Sequence, residues 1–106
     1  MEYMNIVRMR IKEGMLDQWR ARIMENMQMG PPPAGLIDIR HVQIEDNAVC
    51  VVGRWASKEA LVAARPQLIQ GLERLREFLE PYREGLGDTD PVSGGVIFDS
   101  TQMPSA

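Results

Sequence analysis

The chain has 106 residues, 44% of them hydrophobic and 25% charged, with a formal net charge of −3. That length holds one domain with one core, and the composition excludes the disordered, collagen-like and disulfide-rich classes. A weakly acidic balance offers no clustered positive charge, so neither nucleic acid nor a membrane surface is an expected partner.

Met4 to Ile11 alternates, with Asn5, Val7, Met9 and Ile11 on one face and Met4, Ile6, Arg8 and Arg10 on the other, which predicts a strand. After Glu13-Gly14, Leu16, Trp19, Ile23 and Met27 recur at helical spacing, and Gly30-Pro31-Pro32-Pro33 stops that helix. Alternation resumes from Leu36 to Ile44, Glu45-Asp46-Asn47 turns, and the valine-rich run Ala48 to Trp55 returns as the second arm of a hairpin. Ser57 is an N-cap for a second helix from Lys58, which Pro66 is expected to kink or restart. Beyond it, Leu68, Leu72, Leu75 and Leu79 form one stripe until Pro81. Gly85 to Gly95 reads as a loop, Val96-Ile97-Phe98 as the last strand, and residues 101–106 as a flexible tail.

This order predicts one α+β domain over residues 1–100. It is ferredoxin-like, βαββαβ, with a four-stranded antiparallel sheet carrying two helices on one face. With Val7, Met9, Ile11, Ile37 and Ile39 toward the helices, the other face carries Ile6, Leu36, Val42, Ile44, Cys50 and Val52, too apolar for water. A homodimer covering that face is expected. Arg8, Arg10, Asp38, Arg40 and Arg54 share it, so ion pairs are expected there, some across the interface.

His41 is the only histidine, and alternation turns it toward the helices, where an imidazole titrating near neutrality can move a proton. It is the candidate catalytic residue; the alternative is a histidine at the sheet end bonded to a backbone carbonyl. Trp55, Met9, Val7, Trp19 and Tyr82 are the candidate lining of an apolar ligand pocket, although aromatics at helical spacing also build ordinary cores. Methionines around the first strand and helix suit varied apolar ligands or simply fill gaps. Cys50 has the opposite parity from His41, so no Cys-His pair and no metal site is expected, and one cysteine makes no internal disulfide. With neither a basic leader nor a long apolar run, the expected compartment is the cytoplasm.

At Trp55-Ala56-Ser57-Lys58-Glu59-Ala60-Leu61, a strand ending in tryptophan before a capped helix, the chain resembles the antibiotic biosynthesis monooxygenase family of dimeric α/β barrels. Tyr3-Met4, Arg8, Glu13-Gly14 and the central hairpin extend the likeness over roughly residues 3 to 100. The resemblance implies homodimers with facing sheets and a pocket between sheet and helices. It also implies, for some members, oxygenation of aromatic polyketides or quinols with no cofactor. Members that degrade haem use an asparagine on strand one and a tryptophan and histidine on the second helix. In the ungapped register those places hold Val7, Ala64 and Arg74, so haem degradation is not expected.

Three functions follow. The first is a cofactor-independent monooxygenase of a quinol- or anthrone-like molecule, with His41 as base. The second is a non-catalytic binding or stress-linked module that holds a hydrophobic metabolite in the same pocket. The third is an RNA-recognition domain, whose strand order is the same but which needs exposed aromatics on the central strands. Ile6, Arg8, Arg10, Cys50, Val52 and Arg54 supply none, which argues against it.

Overall fold

A computed structural model describes residues 1–83 and 87–102. The elements are β1 (Tyr3–Ile11), α1 (Leu16–Gln28), β2 (Leu36–Glu45), β3 (Ala48–Trp55), α2 (Lys58–Glu73), a 3₁₀ turn (Arg76–Phe78), β4 (Leu79–Glu80), β5 (Thr89–Gly95) and a closing 3₁₀ turn (Ser100–Gln102). The sheet is antiparallel in the order β2-β3-β1-β4, with β5 also pairing β1. β4 holds the Arg10–Ile11 end of β1 and β5 holds Tyr3 to Met9, so together they form one interrupted edge. The result is the α+β, ferredoxin-like arrangement expected from the sequence. No helix among the described residues is long and apolar enough to cross a membrane.

The last strand is displaced from its expected position. Thr89 to Gly95 pairs with β1, while Val96-Ile97-Phe98 lies outside the sheet, with Ile97 94% and Phe98 68% exposed. An edge position explains why Pro91 is tolerated, since its missing N–H is not needed on the open side. Gly85 and Leu86, at the start of the expected loop, lie outside the described residues, as do residues 103–106 of the expected tail.

The second helix runs through Pro66 rather than restarting there, with the proline ring exposed. Ser57 caps it as expected, its Oγ accepting from the Ala60 amide at 3.1 Å. Ser57→Ala should lower stability by about 1 kcal/mol, read as a lower urea midpoint at unchanged slope. The leucine stripe outlasts the helix, because the 3₁₀ turn keeps Leu75, Phe78 and Leu79 buried after Glu73. Arg22 closes the helix end from α1, donating to the Arg74 carbonyl at 2.7 Å and to Glu77 at 2.8 Å.

Two apolar clusters hold the helices on the sheet. Met9, Ile11, Trp19, Val49, Leu75, Phe78 and Leu79 pack at one end, and Trp55, Leu61 and Ala64 at the other. A bulge between Leu36 and Asp38 opposes Leu36 to Trp55, and Leu36 packs into the second cluster. This corrects the expected placement of Leu36 on the opposite face: the extra residue reverses its parity.

The opposite face reads in rows across the sheet. Asp38, Arg54 and Met4 are followed by Arg40, Val52, Ile6 and Val92, then by Val42, Cys50, Arg8 and Asp90. Its charges pair within the chain except Arg40, which is exposed and has no carboxylate partner among the described residues. Arg8 meets Asp90, Arg54 meets Asp38 at 2.8 Å and Glu2 at 3.1 Å, and Arg10 meets Glu45 at 3.5 Å. Beside these rows an open groove of about 360 Å³ is lined by Met4, Ile6, Val92 and the segment to Phe98.

Candidate functional site

The helix-facing side also reads in rows. Leu36, Trp55 and Tyr3 come first, then Ile39, Gly53, Asn5 and Ser93, then His41, Val51, Val7 and Pro91, and last Gln43, Val49, Met9 and Thr89. The first and last rows carry the two buried clusters. Between them Asn5, Val7, Ile39 and Val51 are only half-buried, and Ile23 of α1 and Leu72 of α2 are half-buried above. The helices meet through Asn26, whose Nδ2 donates to the Gly71 carbonyl at 3.1 Å and whose Oδ1 accepts from Arg74 at 2.8 Å. An apolar floor with a polar group at each end is what lies below.

One polar group is Asn5. Trp55, fully buried, donates from Nε1 to Asn5 Oδ1 at 2.7 Å. An indole has only a donor, so the amide oxygen must face it, and the two hydrogens of Asn5 Nδ2 are turned elsewhere. No protein acceptor takes them among the described residues. Sequence reasoning missed Asn5 as a site residue. Its one signal is a carboxamide inside the otherwise apolar face Val7, Met9, Ile11.

The other polar group is His41, on the helix side as alternation predicted. Its ring meets Trp19 edge-on, centroids 5.7 Å apart and planes at 73°. Although the residue is largely exposed, desolvation of the ring lowers its pKa below the ordinary 6.5, so the imidazole is neutral at pH 7. Trp19 is 3% exposed, and its indole N–H is buried without a partner among the described residues. Two strand spacings and two residue rises separate the Asn5 and His41 backbones, roughly 12 Å in all.

The other candidates divide. Val7 lies in the floor and Met9 is buried in the cluster beside it, 3% exposed. Tyr82 is not brought to this site: its ring lies against Arg8 (5.2 Å), Arg10 (5.4 Å) and Arg83 (5.6 Å), and the first two project from the opposite face. Cys50 also lies on that face, between Arg8 and Val42. Among the described residues no group of three or more His, Cys, Asp or Glu could hold a metal ion.

No protein-family model matches the chain, and no curated protein sequence does. Solved structures do. SnoaB, a cofactor-independent oxygenase from Streptomyces nogalater, superposes with a TM-score of 0.73 at 11% identity, over 95% of this chain and 98% of that one. The fold is shared with antibiotic biosynthesis monooxygenases. Two further proteins, provisionally given that name, repeat the match. The one from Chloroflexus aurantiacus has a TM-score of 0.67 at 17% identity, over 93% of this chain and 96% of its own. The one from Nitrosomonas europaea has a TM-score of 0.72 at 12% identity, over 92% and 91%.

Proposed function

We propose that this chain belongs to the antibiotic biosynthesis monooxygenase family and is a cofactor-independent oxygenase of a flat aromatic bearing oxygen, such as a quinol or anthrone. The observation that carries the reading is the half-open floor of Val7, Val51 and Ile39, with the Asn5 donor at one end and neutral His41 at the other. Apolar surface flanked by a few convergent polar groups is the usual build of a small-molecule site. The span suits a fused bicyclic or tricyclic ring with its hydrogen bonds.

In this reading His41 accepts the acidic proton of the ring CH₂ or hydroxyl, and Asn5 Nδ2 donates to the oxyanion that develops. For an anthrone, the carbanion adds dioxygen at the ring carbon. The peroxide anion takes back the proton held by His41, and the resulting hydroperoxide loses its distal hydroxyl and the second hydrogen of that carbon as one water, leaving a carbonyl. One oxygen atom enters the product, the other leaves as water, and the substrate supplies the electrons. A flat ring lying on that apolar floor would itself displace water from it, which favours the anion's reaction with oxygen over its reprotonation by solvent.

Oxygen uptake above the autoxidation rate, with anthrones and naphthohydroquinones and metal-free protein, tests this. His41→Ala should lower kcat about 100-fold. Because the His41 pKa lies below 6.5, wild-type turnover should fall along an acid limb below that pH and be flat above it. The variant should lack the limb; an unchanged profile would remove His41 as the base. The same depression makes its stability contribution present above pH 6.5 and lost as pH falls through the folded-state value.

A second reading, a non-catalytic module for a hydrophobic aromatic, is favoured by one observation. No hydrogen bond orients the His41 ring among the described residues, whereas a working base is usually held. Saturable binding with no oxygen uptake would select it.

Either reading includes a homodimer, with a second copy on the open face. Met4, Ile6 and Val52 are half-buried there, while Val42 and Val92 are 45% and 59% exposed. Arg8, Arg10 and Arg54 already have carboxylate partners and can be desolvated without being stranded, whereas Arg40, exposed and with no carboxylate partner among the described residues, would need one from the second copy. The cytoplasm is the compartment that keeps a lone thiol such as Cys50 reduced.

A further inference from the structure

We infer that Gly53 is a positioning residue of the site: its missing side chain lets Trp55 and Asn5 meet, and so aims the Asn5 donor at the ligand. The inference rests on the role proposed above for Asn5.

Glycine within a strand weakens it, and there are three common reasons to find one: a left-handed backbone, a bulge, or a close approach. Gly53 is not among the residues with positive φ, which are Gly14 and Gly35. It is also paired in regular register on both sides, with Asn5 on β1 and Ile39 on β2. Close approach remains. A Cβ built at Gly53 would fall inside the contact surface of Asn5 Oδ1, and 3.0 Å from Trp55 Nε1.

The strand register explains the geometry. Tyr3, not Asn5, is directly opposite Trp55, so the indole must run back along β3 by two residues to reach the amide. Residue 53 is the one it crosses. Gly53 is buried, and the hydrogen bond above it occupies the place where any other residue would put its first carbon. Trp55 fixes which amide atom faces inward, and Gly53 fixes where the amide stands. The consequence is a preference for ligands that present an acceptor oxygen at that end, a quinone carbonyl or a phenolate.

The test is a double-mutant cycle of Gly53→Ala and Asn5→Ala. The probe is 2,3-dimethyl-1,4-naphthoquinone, whose blocked ring does not add to thiols, with binding followed by quenching of tryptophan emission. Gly53→Ala and Asn5→Ala should each weaken binding about tenfold, and the double variant should bind no worse than Asn5→Ala. Wild-type affinity in Gly53→Ala, or losses that add in the double variant, would overturn the inference. Unchanged binding by Asn5→Ala would instead sink the role proposed for Asn5, and this one with it.

Thermal melting of the same four proteins reads the coupling without a ligand. Gly53→Ala should melt below wild type, and adding Asn5→Ala should recover part of the loss, because the clashing amide is gone. A double variant melting at or below Gly53→Ala would overturn the inference even if no quinone binds.

Discussion

Trp55→Ala should cost about 3–5 kcal/mol, the largest loss expected from any single truncation in this chain. The indole is 0% exposed and forms the second apolar cluster with Leu61 and Ala64, against Tyr3, Leu36, Ala60 and Leu68. Its removal leaves a cavity that helix α2 and strand β2 close only in part. It also strips the donor from Asn5 Oδ1, which adds the cost of an unsatisfied polar atom. Domains of this size are stable by only about 5–15 kcal/mol, so the loss is a large fraction of the total and urea titration should find the variant's midpoint far below that of wild type. A midpoint within experimental error of wild type would show that the cluster does not hold α2. Trp55→Phe separates packing from positioning. It keeps most of the volume and should lose only about 1–2 kcal/mol, yet the freed amide should cost more in ligand binding than in folding.

Val42→Asp with Val92→Asp should convert a dimer into a monomer. Both side chains lie on the open face and are exposed in the single chain, so the substitutions leave the fold's own core untouched. In a face-to-face assembly each aspartate would be taken out of water without a partner, at several kcal/mol apiece. That is enough to raise a dissociation constant by two or more orders of magnitude. Sedimentation should give wild type a mass of twice 12.0 kDa and the variant 12.0 kDa. Wild type sedimenting as one chain would remove the dimer, and the exposed valines would then need another partner.

The parts of the fold that were legible in the sequence are those where side-chain pattern and backbone state agree. β1, β3, α1 and the Ser57 cap fall where alternation, helical spacing and capping chemistry put them. The C-terminal strand was hidden because its pairing is dictated by β1 and not by its own residues. Thr-Asp-Pro-Val-Ser-Gly-Gly has the composition of a turn, whereas the β-branched and aromatic Val96-Ile97-Phe98 finds no strand to pair with among the described residues beyond the Val96 amide, which donates to the Glu2 carbonyl at 2.9 Å. At the site, Trp55, Val7 and His41 were legible through parity. Asn5 was passed over because a single carboxamide in a strand carries no motif; only the register, which brings Trp55 diagonally across Gly53, gives it a role. Tyr82 was grouped with the pocket by proximity to an apolar stripe, but the chain turns after β4 and delivers it to the arginines of the other face.

Strand β2 departs from regular pairing twice, between Leu36 and Asp38 and again between Gln43 and Glu45. The six residues between, Asp38 to Gln43, are therefore clamped like a rule between two stops. An edge strand can ordinarily slide by two residues and keep its inward and outward faces, a misalignment that alternation alone does not forbid. Here such a slide would have to move both irregularities at once and would pull Leu36 from beside Trp55. His41 is thus held opposite Val51 by features at the ends of its strand as well as by its edge-on contact with Trp19. Insertions for engineering belong outside the stops, in the Asp46-Asn47 turn or before Gly35; one residue added or removed between Asp38 and His41 would put the two on the wrong relative parity, so that either the histidine or the strand before it turns to the other face of the sheet.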